Sequence, residues 1–133
     1  MKVVLIGPHN RSGKVLQEKI RRLLNDINVE TVTADDLLPD SPTILHEIFD
    51  AIESSHLIIA DLTEQNPNVL YELGIAHALR KPTILLKNYH SEASIPSDLA
   101  GTFYITYDLN NLPALESQIR HSVMSYAGQE MKK

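Results

Sequence analysis

Glu72 is the residue of this sequence whose surroundings most suggest chemistry. It lies in the stretch IIADLTEQNPNVLYELGIAHALRKPTILL, Ile58 to Leu86. At helical spacing its neighbours are Asn68 and Val69 one turn back and Ile75 and Ala76 one turn on, which puts a carboxylate on a largely apolar face. If that face is buried, the acid must be paired, hydrogen-bonded or functional; a solvated or capping acid at the edge of the stripe is the structural alternative. Acids beside pockets often have the displaced pKa values that catalysis uses. Asp61 ends the preceding apolar run, where a side chain reaches out of a sheet. As a second catalytic acid it could orient Glu72 or handle a proton; it could also hold a ribose hydroxyl, or simply cap or form a turn. Asn66-Pro67-Asn68 is first a helix start, with Asn as N-cap and Pro at the first helical position. The same geometry leaves amides able to hold a hydroxyl, a base edge or a phosphate. Tyr71 adds a phenol next to Glu72, although a sequence neighbour points about 100° away on an α-helix, and packing explains it equally.

The loop Gly7-Pro8-His9-Asn10-Arg11-Ser12-Gly13-Lys14 superficially resembles a phosphate-binding P-loop. It is out of register for one, and Val15 stands where the magnesium-ligating hydroxyl belongs. What remains is a turn feeding a helix N-terminus, where amides and the helix dipole favour an anion. Gly7, His9 and Asn10 are its candidate binding residues, and an ordinary strand-to-helix turn is the alternative. Asp35 and Asp36 suit a solvated acidic turn. His77 suits a structural role. The histidines show no metal-ligand spacing, so neither a metal nor a cofactor is expected.

The elements that must position these residues alternate regularly. Strands are expected at Lys2–Ile6, Val29–Val32, His56–Ala60, Thr83–Leu86 and Thr102–Tyr107. Helices are expected at Ser12–Asn25, Thr43–Ser54, Pro67–Arg80 and Pro113–Tyr126, with Ser12 capping the first and a frayed tail from Gly128. The polar stretch from Asn88 to Gly101 has the length of a flap. Strand–helix alternation with right-handed crossovers predicts an α/β fold: residues 1–133 as a single doubly wound domain, a five-stranded parallel sheet in the order 2-1-3-4-5 with helices on both faces. Ligands of such sheets bind beyond the carboxyl ends of the strands where the order reverses. Here that crevice would be lined by Gly7 to Gly13 and Asp61 to Asn68.

Composition narrows the setting. At 133 residues the chain is long enough to bury a core without staples, and it has no cysteine, which removes disulfides and thiolate nucleophiles. Seventeen acids against twelve bases give a net charge of -5, which disfavours an extended nucleic-acid surface. No apolar run approaches the ~20 residues of a membrane span, so a cytoplasmic protein without a membrane partner is expected.

The run ADLTEQNPNVLYELGIAHALRKPTILL, with the sequel IPSDLAGTFYITYD, resembles the nucleoside 2-deoxyribosyltransferase-like superfamily. That group includes deoxynucleoside monophosphate N-glycosidases and TIR-like nucleotide-binding relatives. The resemblance implies a nucleoside or nucleotide as the small-molecule partner and N-glycosidic bond cleavage or transfer. The glutamate matching Glu72 is the nucleophile in the glycosidase branch, and residues matching Asn66 and Asn68 lie against the substrate. It also implies a homo-oligomer, since relatives often complete their site from a neighbouring subunit. The TIR-like relatives imply the alternative of a non-catalytic nucleotide-sensing module. Two positions depart from the glycosidases: Ile48 falls where they carry a helix aspartate, and Val4 where they carry a first-strand tyrosine. Pro8 likewise falls on a hydroxyl residue.

Overall fold

The computed structural model describes residues 1–33, 36–37, 44–64, 66–91 and 104–131. In chain order it contains β1 (Lys2–Ile6), α1 (Arg11–Asp26), β2 (Glu30–Thr33), α2 (Ile44–Glu53), β3 (Leu57–Asp61), α3 (Pro67–Ala78), β4 (Thr83–Asn88), β5 (Tyr104–Tyr107), a short 3-10 turn at Leu109–Asn111, and α4 (Leu112–Met131). All strand pairs are parallel and the order is β2-β1-β3-β4-β5, as the alternation of elements predicts. The register sets Ile6 beside Ala60 and Asp61 beside Leu86, so β1, β3 and β4 end at nearly the same level.

Successive residues of β3 supply opposite faces of the sheet. Leu57 and Ile59 join a core with Leu16, Ile20 and Leu24 of α1 and Leu115, Ile119 and Val123 of α4. Ile58 and Ala60 join a second core with Ile52 of α2 and Val69, Leu73 and Ala76 of α3. The sheet is therefore covered on both sides, which is why β3 is buried along its whole length and reads as a continuous apolar run.

Several boundaries differ from expectation for local reasons. The cap of α1 is Asn10, not Ser12: the Asn10 side chain accepts from the Gly13 amide at 2.8 Å, and the helix begins at Arg11. Val15 is 51% exposed, whereas Leu16 and Ile20 of the same helix are buried. α4 continues to Met131 instead of fraying from Gly128. Within the expected flap, residues 92–101 lie outside the described residues.

Candidate functional site

Asp61 occupies the end of β3 on the face covered by α1 and α4, and it is 6% exposed. The Asp-Leu-Thr sequence folds back on it: Oδ1 accepts from the Thr63 amide at 3.0 Å and from the Thr63 hydroxyl at 2.5 Å. Oδ2 accepts from the Tyr107 phenol of β5 at 3.0 Å. Thr63 carries the network further, its hydroxyl accepting from the Asn88 amide at 2.9 Å and its carbonyl from the Ser91 hydroxyl at 2.6 Å. Burial pushes the Asp61 carboxyl above the ordinary aspartate range, against the lowering effect of its Thr63 and Tyr107 hydrogen bonds. Burial and the neighbouring Asp61 also push the Tyr107 phenol up.

Around this network lies the crevice expected at the reversal of strand order. It is about 180 Å³ and is lined by Pro8, Asn10, Ser12 and Gly13 on one side and Asp61, Thr63 and Glu64 on the other, with Asn88, Tyr107 and Leu109 beyond. Asn10 spans it, donating from Nδ2 to Glu64 Oε1 at 2.6 Å while its own Oδ1 caps α1. At this size the crevice is below the roughly 300 Å³ at which ligand pockets begin. Gly13 is required by close approach, since a Cβ there would stand 2.2 Å from the Pro8 carbonyl oxygen. At Gly7 the nearest obstacle is only the movable Gln17 amide.

Glu72 is on the other face. Asn66 caps α3 by accepting from the Asn68 amide at 2.8 Å, and Pro67 opens the helix, so the second turn carries Glu72 toward α2. There it faces a largely apolar recess of about 20 Å³ shared with Val4, Val32, Thr33, Ile48, Ala51 and Ile52. Such a space holds about one water. No described residue donates a hydrogen bond to the Glu72 carboxylate, and burial pushes its pKa up to about 7. With its pKa moved toward neutrality, it can act as either a carboxylate or an acid.

The structure thus groups the sequence candidates in two places. Asp61, Asn10 and the neighbourhood of Gly7 belong to the α1-side crevice, while Glu72 stands across the sheet with Asn68 one turn before it. Asp61 does not reach Glu72, because its carboxylate is turned toward β5. His9 is exposed and joins a trough along α1. Tyr71 is 58% exposed, on the outer side of α3. Asp36 accepts from the Thr33 amide at 2.8 Å and pairs with Arg21. Although partial burial raises its pKa, the Arg21 and Thr33 hydrogen bonds hold it below the usual range. His77 Nε2 lies 3.5 Å from the Thr83 hydroxyl. Four polar residues of the crevice were not singled out as partners, although the first two lie in a stretch expected to line it: Thr63, Glu64, Asn88 and Tyr107. The spacing Asp-x-Thr could have signalled the first, being a side-chain-capped turn. Among the described residues no group of acids and histidines could hold a metal ion.

No protein-family profile and no curated protein sequence matches the chain. Solved structures do. A 2-deoxyribosyltransferase from Bacillus psychrosaccharolyticus superposes with a TM-score of 0.68 at 16% identity, over 84% of this chain and 90% of that one. The CMP N-glycosidase BcmB of Clostridium botulinum gives 0.61 at 24% identity, over 81% and 90%. The TIR domain of the Toll-related receptor TRR-2 of Hydra magnipapillata gives 0.72 at 17% identity, over 92% and 97%. The fold is the one these proteins share, in agreement with the resemblance in sequence.

Proposed function

We propose that the protein cleaves or transfers the N-glycosidic bond of a nucleoside, nucleotide or dinucleotide, with Glu72 as the nucleophile. The observation that carries this is a carboxylate without a hydrogen-bond partner, its pKa pushed up to about 7, on the fold of a 2-deoxyribosyltransferase and an N-glycosidase; the recess it faces holds about one water, so the reading requires that recess to widen before a sugar can reach the carboxylate. The ionised carboxylate attacks the anomeric carbon as the C–N bond to the base breaks, giving a glycosyl ester on Glu72. The base takes a proton from solvent as it leaves, and water or a second base then attacks the anomeric carbon of the ester, returns a proton to solvent and regenerates the carboxylate. Desolvation favours this step in one respect and limits it in another: a poorly solvated carboxylate is a stronger nucleophile, but below pH 7 most of it is protonated. Asn68, on the same side of α3, and Asn66 at its start are the proposed substrate contacts. Gly7, His9, Asn10 and Tyr71 are assigned no direct contact with the reacting atoms, and Asp61 acts as a support of the crevice.

Chromatographic detection of free base after incubation with a panel of nucleosides, nucleoside monophosphates and NAD tests the proposal. Release by the wild type and its loss in Glu72→Ala, with an unchanged circular dichroism spectrum, is expected. An absence of release across the panel would sink it.

A specific observation favours a second function, nucleotide binding without turnover, as in TIR-like sensing modules. Val4 and Ile48 both line the recess of Glu72, and these are the positions at which the glycosidases carry tyrosine and aspartate. The groups that would accompany a nucleophile are apolar here. Nucleotide binding that persists in Glu72→Gln, with no base released, would establish this reading in place of the first.

A further inference from the structure

We propose that the α1 side of the sheet holds a site for a phosphorylated sugar, completed when the contact between Asn10 and Glu64 opens. Two cavities meet at Asn10. On one side is the polar crevice of about 180 Å³ beyond the ends of β1 and β3. On the other is a shallow trough of about 640 Å³ along the outer face of α1, where Arg11, Lys14, Lys19 and Arg22 stand against the single acid Glu18. Asn10 lines both, and its side chain, donating to Glu64 at 2.6 Å, stands between them. The crevice alone is too small for a ligand, whereas trough and crevice together exceed the roughly 300 Å³ at which ligand pockets begin.

The chemistry of the two parts sets the polarity of the ligand. Asn10 is held in place by its Oδ1, which accepts from the Gly13 amide at 2.8 Å, so Glu64 is the part that moves. Both side chains are exposed, and turning Glu64 aside is a rotation of its side chain. The separated pair is one N–H donor and one carboxylate acceptor. A hydroxyl complements both, its oxygen accepting from Asn10 Nδ2 and its hydrogen going to Glu64. A phosphate does not suit that place, because the carboxylates of Asp61 and Glu64 both line the crevice and repel it. It suits the strip of bases along α1, where Arg and Lys make charge-assisted hydrogen bonds to phosphate oxygens. In a chain with a net charge of -5, that strip draws an anion to this face. The ligand therefore carries hydroxyls at one end and a phosphate at the other. α1 and α3 cover opposite faces of the sheet, so the site does not depend on whether Glu72 performs chemistry.

Amide NMR on the ¹⁵N-labelled full chain tests it, with ribose 5-phosphate as the probe and inorganic phosphate and ribose as controls. Ribose 5-phosphate should shift the amides of Arg11, Gly13, Thr63 and Glu64 and leave in place those of Ile48 and Ala51, which line the recess of Glu72. It should bind at least about tenfold more tightly than either control, since each control fills only one part of the site. Arg11→Gln with Lys14→Gln should weaken it by about tenfold or more with unchanged circular dichroism. Glu72→Gln should bind it as the wild type does, and neither base release nor its absence bears on these readouts. Inorganic phosphate bound as tightly as ribose 5-phosphate would mean an adventitious anion only. That result, an absence of shifts, undiminished binding in the double variant, or shifts centred on Ile48 and Ala51 and lost in Glu72→Gln would each overturn the proposal.

Discussion

Asp61 and Glu72 are near neighbours in sequence, both are carboxylates withdrawn from water, and burial moves both pKa values upward. The sheet nevertheless separates them, and their surroundings are opposite. Asp61 accepts from a backbone amide and two hydroxyls, tying the end of β3 to its own loop and to β5. Glu72 faces Val4, Ile48, Ala51 and Ile52. Burial alone therefore does not mark a reactive acid. What distinguishes the two is whether the protein has already supplied the partners that a substrate would otherwise supply.

Removing Asp61 should have the largest effect on the folded state. In Asp61→Ala the hydroxyls of Thr63 and Tyr107 lose their shared acceptor and keep one another at 2.9 Å, and unfolding in denaturant should show a loss of about 2–3 kcal/mol. A loss below about 1 kcal/mol would erase the contrast drawn between the two acids.

Glu72 should behave in the reverse sense. Its folded pKa of about 7 lies above the ordinary value of 4.5, so the folded state binds more protons than the unfolded one between those limits. The native state is therefore relatively stabilised below about pH 4.5 and loses that contribution as pH rises through 7. Glu72→Gln removes the ionisation, and above pH 7 it should be more stable than the wild type by up to about 3 kcal/mol, taking 1.36 kcal/mol per pKa unit. The advantage should shrink toward zero near pH 4.5, and melting curves at several pH values would reveal it.

The α1-side crevice can be sharpened further by its glycines. Gly13→Ala drives a methyl into the Pro8 carbonyl and should cost about 2 kcal/mol, whereas Gly7→Ala need only displace the Gln17 side chain and should cost less. The smallest expected effect is Asn10→Ala, about 1 kcal/mol for the lost cap of α1, with the tie to Glu64 released. Because that tie spans the crevice, comparison of nucleotide binding in Asn10→Ala and wild type would reveal whether the closed crevice excludes a ligand.

Much of the fold was legible because the apolar runs and amphipathic helices alternate so regularly, and Pro67 and Pro82 punctuate them. The cap at Asn10 was readable in principle, since Asn10 belongs to the same capping class as Ser12 and Gly13 sits at the distance a side-chain cap spans. The separation of Asp61 from Glu72 was not. In an apolar strand such as LIIAD the residue types do not say which face either helix layer will cover; that follows only from how α1 and α3 cross the sheet. Tyr107 was equally hidden. It comes from β5, distant in sequence, and the alternation of that strand marks it as buried without naming Asp61 as its partner. For Glu72 the sequence indicated an acid on an apolar face, and the structure added that the facing positions, Val4 and Ile48, are apolar as well.

The most direct test is a ¹³C NMR titration of the glutamate side-chain carboxyls, with Glu72 assigned by the signal lost in Glu72→Gln. The Glu72 resonance should titrate with a midpoint near pH 7. A midpoint near 4.5 would mean that Glu72 is solvated and ordinary, and would contradict the account of it as an acid that burial holds partly protonated.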